Sequence, residues 1–138
     1  MILEFTVPGE AAPQGSKRAV RLPNGRTVLL ESSKRLKPWR GLVSMCAAEA
    51  WKEPPTAAPV ELHATFTFVR PKSHFTAKGA LKAGARPAPG KPDLDKLARG
   101  LCDGLTGIVY ADDSQIVRLN LRKEYGPTAS TTVWVSAP

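Results

Sequence analysis

The sequence predicts an α+β fold, a mixed β-sheet with two main helices packed on one face. Segments with a period of two in their apolar residues are interrupted by two segments of helical period. The order along the chain is strands, helix, strand, helix, two strands. Only a short turn at Gly126-Pro127 separates the last two strands, so these are expected to run antiparallel. A length of 138 residues suits a single domain, 1–138, and is too short for two independent cores.

Residues 2–7 place Leu3, Phe5 and Val7 on one side of a strand that ends at Pro8-Gly9. A basic loop at 14–18 then leads into 19–22 and 26–30, which flank Pro23-Asn24-Gly25 as a hairpin. Pro38 suits the first turn of a helix, and Trp39, Leu42, Val43, Cys46 and Ala50 follow at helical spacing until Glu53-Pro54-Pro55 stops it. Val60, Leu62, Ala64, Phe66 and Phe68 alternate with Glu61, His63, Thr65 and Thr67 in the clearest strand of the chain. Residues 70–92 carry six cations, no acid, three Gly and four Pro, the composition of a long, mobile basic loop. A second helix starts at Asp93 or Leu94 and runs to about Leu105, with Gly107 placed to end it. Ile108-Val109-Tyr110 is a short apolar run and 111–114 a turn. Val117, Leu119 and Leu121 then mark a core-facing strand, and 130–135 the last one.

Charge is the first functional signal. Twenty Lys/Arg against twelve Asp/Glu give +8, which favours a polyanionic partner. Every Asp lies between 93 and 113 and every Glu outside that window. No stretch approaches the ~20 apolar residues of a membrane span. The first ten residues lack the pattern of a secretory signal, and the two cysteines form no C-x-x-C pair. A reducing cytosol is therefore expected.

Short carboxylates gathered in a basic protein suggest a metal site. Asp93 and Asp95 open the second helix, where an N-cap and the helix dipole also favour acids. On the helical wheel Asp95 falls at the margin of the apolar arc, beside Cys102, where an unpaired carboxylate is costly. Arg99 is placed to pair with Asp95 and Asp103 in a structural ladder, which is the alternative to a ligand set. Asp112-Asp113 sits in a turn that can return beside the helix start. Three or four converging carboxylates would lose their charge unless a cation sat among them. Oxygen-only ligands suit Mg²⁺ or Mn²⁺, and the matching chemistry in a basic protein is metal-assisted attack on a phosphodiester.

Other motifs fail. Residues 84–91 lack the spacing and the Ser/Thr of a P-loop, so no nucleotide cofactor is expected. His63 and His74 read as surface histidines and Cys46 and Cys102 as core thiols. Trp39, Trp51 and Trp134 read as packing residues, leaving Phe75 as the aromatic kept for DNA contact.

The run Lys91-Pro92-Asp93-Leu94-Asp95-Lys96-Leu97-Ala98-Arg99-Gly100-Leu101-Cys102-Asp103-Gly104-Leu105, followed by Val109-Tyr110-Ala111-Asp112-Asp113-Ser114-Gln115-Ile116-Val117, resembles the RusA family of Holliday junction resolvases. The family pattern is P-D-x-D-N-x-x-K-x-x-x-D-A-L, a short gap, then D-D-x-Q-[IV]. Phe5-Thr6-Val7-Pro8-Gly9 and the basic segment 14–18 are similar to the family's start. The resemblance implies a RusA-like fold and a homodimeric, Mg²⁺-dependent endonuclease that cuts four-way DNA junctions by paired nicks in recombination and repair. A bacterial cytosol and a phage or prophage origin go with it.

Carried onto this chain, the metal-binding acids are Asp93, Asp95 and Asp113, with Asp112 beside them. The family's usual Asn is Lys96 here and its functional Lys is Arg99. Asp93, Asp95, Asp113, Arg99 and Lys96 form the expected catalytic set. Lys17, Arg18, Arg70, Lys72, Lys78, Lys82, Arg86 and Lys91 are the expected DNA-backbone contacts. The alternative is a basic DNA- or RNA-binding module without catalysis, whose aspartates are caps and salt-bridge partners.

Overall fold

The computed structural model describes residues 2–15, 17–31 and 34–138. Its main sheet has the strand order β1 (Leu3–Pro8), β6 (Ser130–Ser136), β4 (Val60–Phe68), β5 (Ile116–Tyr125). β6 runs antiparallel to both β1 and β4, whereas β5 runs parallel to β4, so the sheet is mixed. Two helices, α1 (Leu36–Ala50) and α2 (Leu94–Leu105), pack on each other and on the sheet face that buries Phe5, Val7, Leu62, Phe66 and Val133. The α+β architecture is as expected. No helix among the described residues is long and apolar enough to cross a membrane.

Alternation builds the core. β4 turns Val60, Leu62, Ala64, Phe66 and Phe68 inward, all nearly inaccessible to water, and so takes the central position between β6 and β5. β5 and β6 run in opposite directions, as expected, yet they are not hydrogen-bonded neighbours, because the most apolar strand inserts between them. The opposite sheet face is polar, with Glu61, His63, Thr67, Trp134 and Ser136, and there Trp134 stacks on His63 at 5.2 Å.

Other expectations are corrected as well. Lys17 and Arg18 belong to a strand, β2 (Lys17–Arg21), which pairs with β3 (Thr27–Glu31) around the Asn24-Gly25 turn as a separate ribbon. The buried face of α1 uses Leu36, Trp39, Val43 and Ala47, leaving Ala50 exposed in the last turn. Val117 and Leu119 do not face the core: they are 60% and 49% exposed, because β5 is an edge strand that α2 covers only in part. The basic loop at 70–92 is not among these corrections; within it lie a 3-10 turn at Lys72–His74 and a tight turn closed by Thr76 N–H to the Ala80 carbonyl (2.7 Å).

The α1–α2 contact depends on two glycines one helical turn apart. A Cβ at Gly104 would lie 2.8 Å from Val43 Cγ1 and 3.2 Å from the Arg40 carbonyl oxygen, and one at Gly100 would lie 3.1 Å from the Trp39 ring. Ser44 Oγ donates to the Gly104 carbonyl at 2.7 Å, which fixes the same approach. Gly104→Ala is expected to destabilise the fold. Overpacking of about 1–3 kcal/mol outweighs the ~1 kcal/mol that alanine gains in helix preference. A lower urea midpoint at unchanged m-value would report it, and a midpoint at or above the native one would contradict the close approach.

Candidate active site

Asp95 and Asp103 stand on α2 and Asp93 at its start. Asp93 occupies its N-cap position, but the carboxylate caps no helix N–H and instead accepts from Lys91 Nζ at 2.8 Å. Lys96 Nζ lies 3.9 Å from its other oxygen. Hydrogen bonding to Lys91 and that lysine's charge hold the Asp93 carboxyl below the usual carboxylate range, and Lys96 and Lys123 add to the effect.

Asp112 is likewise engaged. Its carboxylate accepts from Ser114 N–H at 3.0 Å, while Gln115 Oε1 accepts from Asp112 N–H at 2.8 Å, a capping box on the 3-10 turn Asp113–Gln115. Hydrogen bonding from the Ser114 side chain, and then from its backbone N–H, lowers the Asp112 pKa. Gln115 Nε2 also donates to the Thr56 and Ala58 carbonyls at 2.7 and 2.8 Å, anchoring the turn to the segment that enters β4. The turn is therefore held at both ends, and among the described residues the Asp113 side chain makes no hydrogen bond.

Asp95 and Asp113 line one cleft of about 480 Å³, together with Asp103, Arg99, Gln14, Ala98, Cys102 and Leu119. Gln14 is brought there by its backbone N–H to the Lys96 carbonyl, 3.1 Å. The expected ladder through Arg99 does not form. Asp103 pairs with Arg40 of α1 at 3.7 Å, and Asp95, Asp113 and Arg99 make no ion pair among the described residues.

The convergence is thus narrower than four acids. Asp93 and Asp112 do not line the cleft, and no three His, Cys, Asp or Glu side chains among the described residues enclose a metal position. Two open carboxylates nevertheless fit a hard divalent ion that keeps several waters and takes its remaining ligands from phosphate. Among the described residues no imidazole lines the cleft; its carboxylates offer oxygen, and burial raises the pKa of the one thiol beside them, Cys102, which makes it a poor ligand.

Among the expected DNA contacts, Lys72, Lys78, Lys82, Arg86 and Lys91 are exposed, and Lys17 and Arg18 lie on β2. Arg70 is held internally: its guanidinium donates to the Arg86 carbonyl (2.7 Å) and to His74 Nδ1 (3.2 Å) and lies 4.4 Å over the Tyr125 ring.

The sequence reading missed Lys123. Its ammonium donates to the Gly90 carbonyl and, at 2.9 Å, to the Pro92 carbonyl, tying the end of the basic segment to β5 immediately before Asp93. A signal was present, since Lys123 breaks into the apolar parity of Val117, Leu119 and Leu121. Gln115 stands in the D-D-x-Q-[IV] block and Gln14 opens the basic segment 14–18, but residue type and spacing assigned neither of them a role.

Cys102 closes the inner wall. Burial pushes its thiol up to about 11, aided by the nearby Asp113 and Asp103 charges and opposed by a hydrogen bond from Tyr110. Tyr110, itself fully buried, donates to the Cys102 carbonyl at 3.0 Å. A shift from 9.0 to about 11 lowers the thiolate fraction roughly 100-fold below pH 9. In a Cys46→Ser background, Cys102 should therefore label with a thiol reagent at pH 8 at least ~100-fold more slowly when folded than in urea. The folded rate should climb with pH towards 11, and equal rates in both states would contradict the buried thiol.

Comparison with known proteins meets this geometry. A curated relative, the uncharacterized protein YqaN of Bacillus subtilis (strain 168), is 31% identical over 137 residues, covering 96% of this chain and 94% of the relative. The family model described as endodeoxyribonuclease RusA matches residues 8–136, which includes both helices, strands β4, β5 and β6 of the main sheet, only the last residue of β1, and every acid of the cleft. The chain belongs to the RusA family of endodeoxyribonucleases.

Proposed function

We propose that the chain resolves four-way DNA junctions by paired nicks, as a homodimer and with Mg²⁺, in DNA recombination and repair. Family membership supplies the class of reaction. The observation that carries the proposal to these residues is the cleft in which Asp95 and Asp113 face Arg99 without neutralising partners among the described residues. A divalent ion, when bound, supplies a more acidic water and charge neutralisation at the scissile phosphate.

The chain's own groups have separable roles in this reading. Asp95 and Asp113 hold the ion, and Asp93 belongs to the same proposed set, since its partners Lys91 and Lys96 form the exposed kind of ion pair that contributes little. Asp112 positions Asp113 through the capped turn. Arg99 holds phosphate oxygens in a bidentate grip and stays protonated, so its part is electrostatic and not proton transfer. Lys96 adds a second cation on the adjoining helix face. Ala98 and Leu119 supply apolar walls, which strengthen charge interactions inside the cleft. Lys17, Arg18, Lys72, Lys78, Lys82, Arg86 and Lys91 grip the DNA backbone, and Arg70 contributes its stacked guanidinium. A dimer follows from the two-fold symmetry of the substrate, because one chain carries one such cleft.

The test is cleavage and binding of a synthetic four-way junction, with Mg²⁺ and with chelator. The native chain is expected to cut only with the metal. Asp95→Asn and Asp113→Asn should each lose more than ~100-fold in cleavage rate while binding holds or tightens. Native protein that binds without metal-dependent cutting would identify a non-catalytic module instead. Binding itself should weaken steeply with salt, the log–log slope being about −0.9 per phosphate contacted. A slope near zero would remove the basic residues from the interface.

A further inference from the structure

The far end of β5 carries a second concavity. It measures about 310 Å³ and is lined by Val69, Arg70, Phe75, Tyr125, Gly126 and Pro127. Val69 and Phe75, 53% and 38% exposed, present apolar carbon to solvent at the same concavity. The Arg70 guanidinium lies 4.4 Å over the centre of the Tyr125 ring, and its bonds to the Arg86 carbonyl and His74 keep it there. His74 meets the same Tyr125 ring edge-on at 5.6 Å. Flat π surfaces and apolar carbons thus line a groove whose bounding segment, 70–92, carries six cations and no acid.

We propose that this groove stacks an unpaired nucleobase of the branched DNA, and so contributes selectivity for branched over linear substrate; the proposal rests on the nuclease reading and deepens it. Charge complementarity selects the occupant. Lys72, Lys78 and Lys82 stand exposed around Phe75 in sequence and suit a phosphate backbone, whereas an apolar peptide or a lipid tail gains nothing from them. Stacking on aromatic and guanidinium faces is tolerant of base identity but needs a free base face. A continuous duplex hides those faces in its own stack, and a branch point or single strand offers them. The strand β5 joins the groove to the acids: Leu119 lines the cleft and Tyr125 the groove on the same strand face, six residues or about 20 Å apart. That is the reach of about six nucleotides at ~3.4 Å each. Lys123, between them, fastens the basic segment to the strand.

The experiment uses the full chain in chelator. Affinity is measured for a ten-residue oligothymidylate, for a four-way junction and for a linear duplex of equal length. Fluorescence is read from 2-aminopurine placed at each position within about six nucleotides of the branch. Phe75→Leu keeps an apolar side chain in the turn and removes only the ring, so the fold is preserved. It should bind the oligothymidylate about tenfold more weakly, bind the duplex within twofold of native, and lose the 2-aminopurine quenching. Phe75→Trp should retain native behaviour. Oligothymidylate affinity unchanged by Phe75→Leu, or lost equally on duplex, overturns the groove. Mg²⁺-dependent junction cleavage is scored separately on the native chain. Cleavage with no Phe75 effect removes the groove and leaves the nuclease, and Phe75-dependent single-strand binding without cleavage does the reverse.

Discussion

Parallel pairing of β4 with β5 is the constraint on which the site depends. Two strands that run the same way need a crossover, and here the crossover contains the basic segment, α2 and the Asp112-Asp113 turn. Register starts at Val60 opposite Ile116, so the turn before β5 must lie at the end of the sheet where β4 begins. Gln115 fixes it there through the Thr56 and Ala58 carbonyls, and Thr56 N–H reaches the Val109 carbonyl at 2.9 Å. Asp113 is thereby delivered to the flank of α2 by backbone geometry. The free energy comes from burial nearby: Leu97, Leu101, Leu105, Val109 and Tyr110 are all inaccessible, each such side chain stabilising by about 1.5–3 kcal/mol.

The same framework sorts five aspartates into two groups. Asp93, Asp103 and Asp112 have partners, respectively Lys91, Arg40 and the Ser114 backbone N–H, of which the first two are exposed ion pairs and the third a neutral hydrogen bond. Asp95 and Asp113 line one cleft and make no ion pair among the described residues. In a chain of net charge +8, that local negative centre lies among cations that attract a polyanion to it. A phosphate approaching two free carboxylates is repelled unless a cation intervenes, which is the electrostatic reason that the proposed chemistry needs a divalent ion.

β5 acts as the spine of the functional side. Along one of its faces stand Leu119 at the cleft, Lys123 holding the Gly90 and Pro92 carbonyls, and Tyr125 beneath Arg70. Its apolar residues serve the surface as much as the core, which is why Val117 and Leu119 remain exposed. The basic segment consequently enters α2 from a fixed point, although it contains few apolar side chains of its own.

Much of this was legible in the chain. Alternation located the strands, helical spacing and Pro38 located α1, and the D-x-D and D-D blocks singled out the acids together with the family, because those signals are local and repeat with the period of the structure they form. The sequence alone could not place β4 between β5 and β6, since strand order depends on which strand buries most area, a property of the whole sheet. Nor could it assign Asp93 and Asp112 to lysine and capping partners while leaving Asp95 and Asp113 open, or show Lys123 as a clamp. Residue types and their spacing determined which side chains are able to carry charge to a site; only the tertiary packing decided which charges are balanced and which stay exposed, because a carboxylate's partner is set by distance in space and not by distance along the chain.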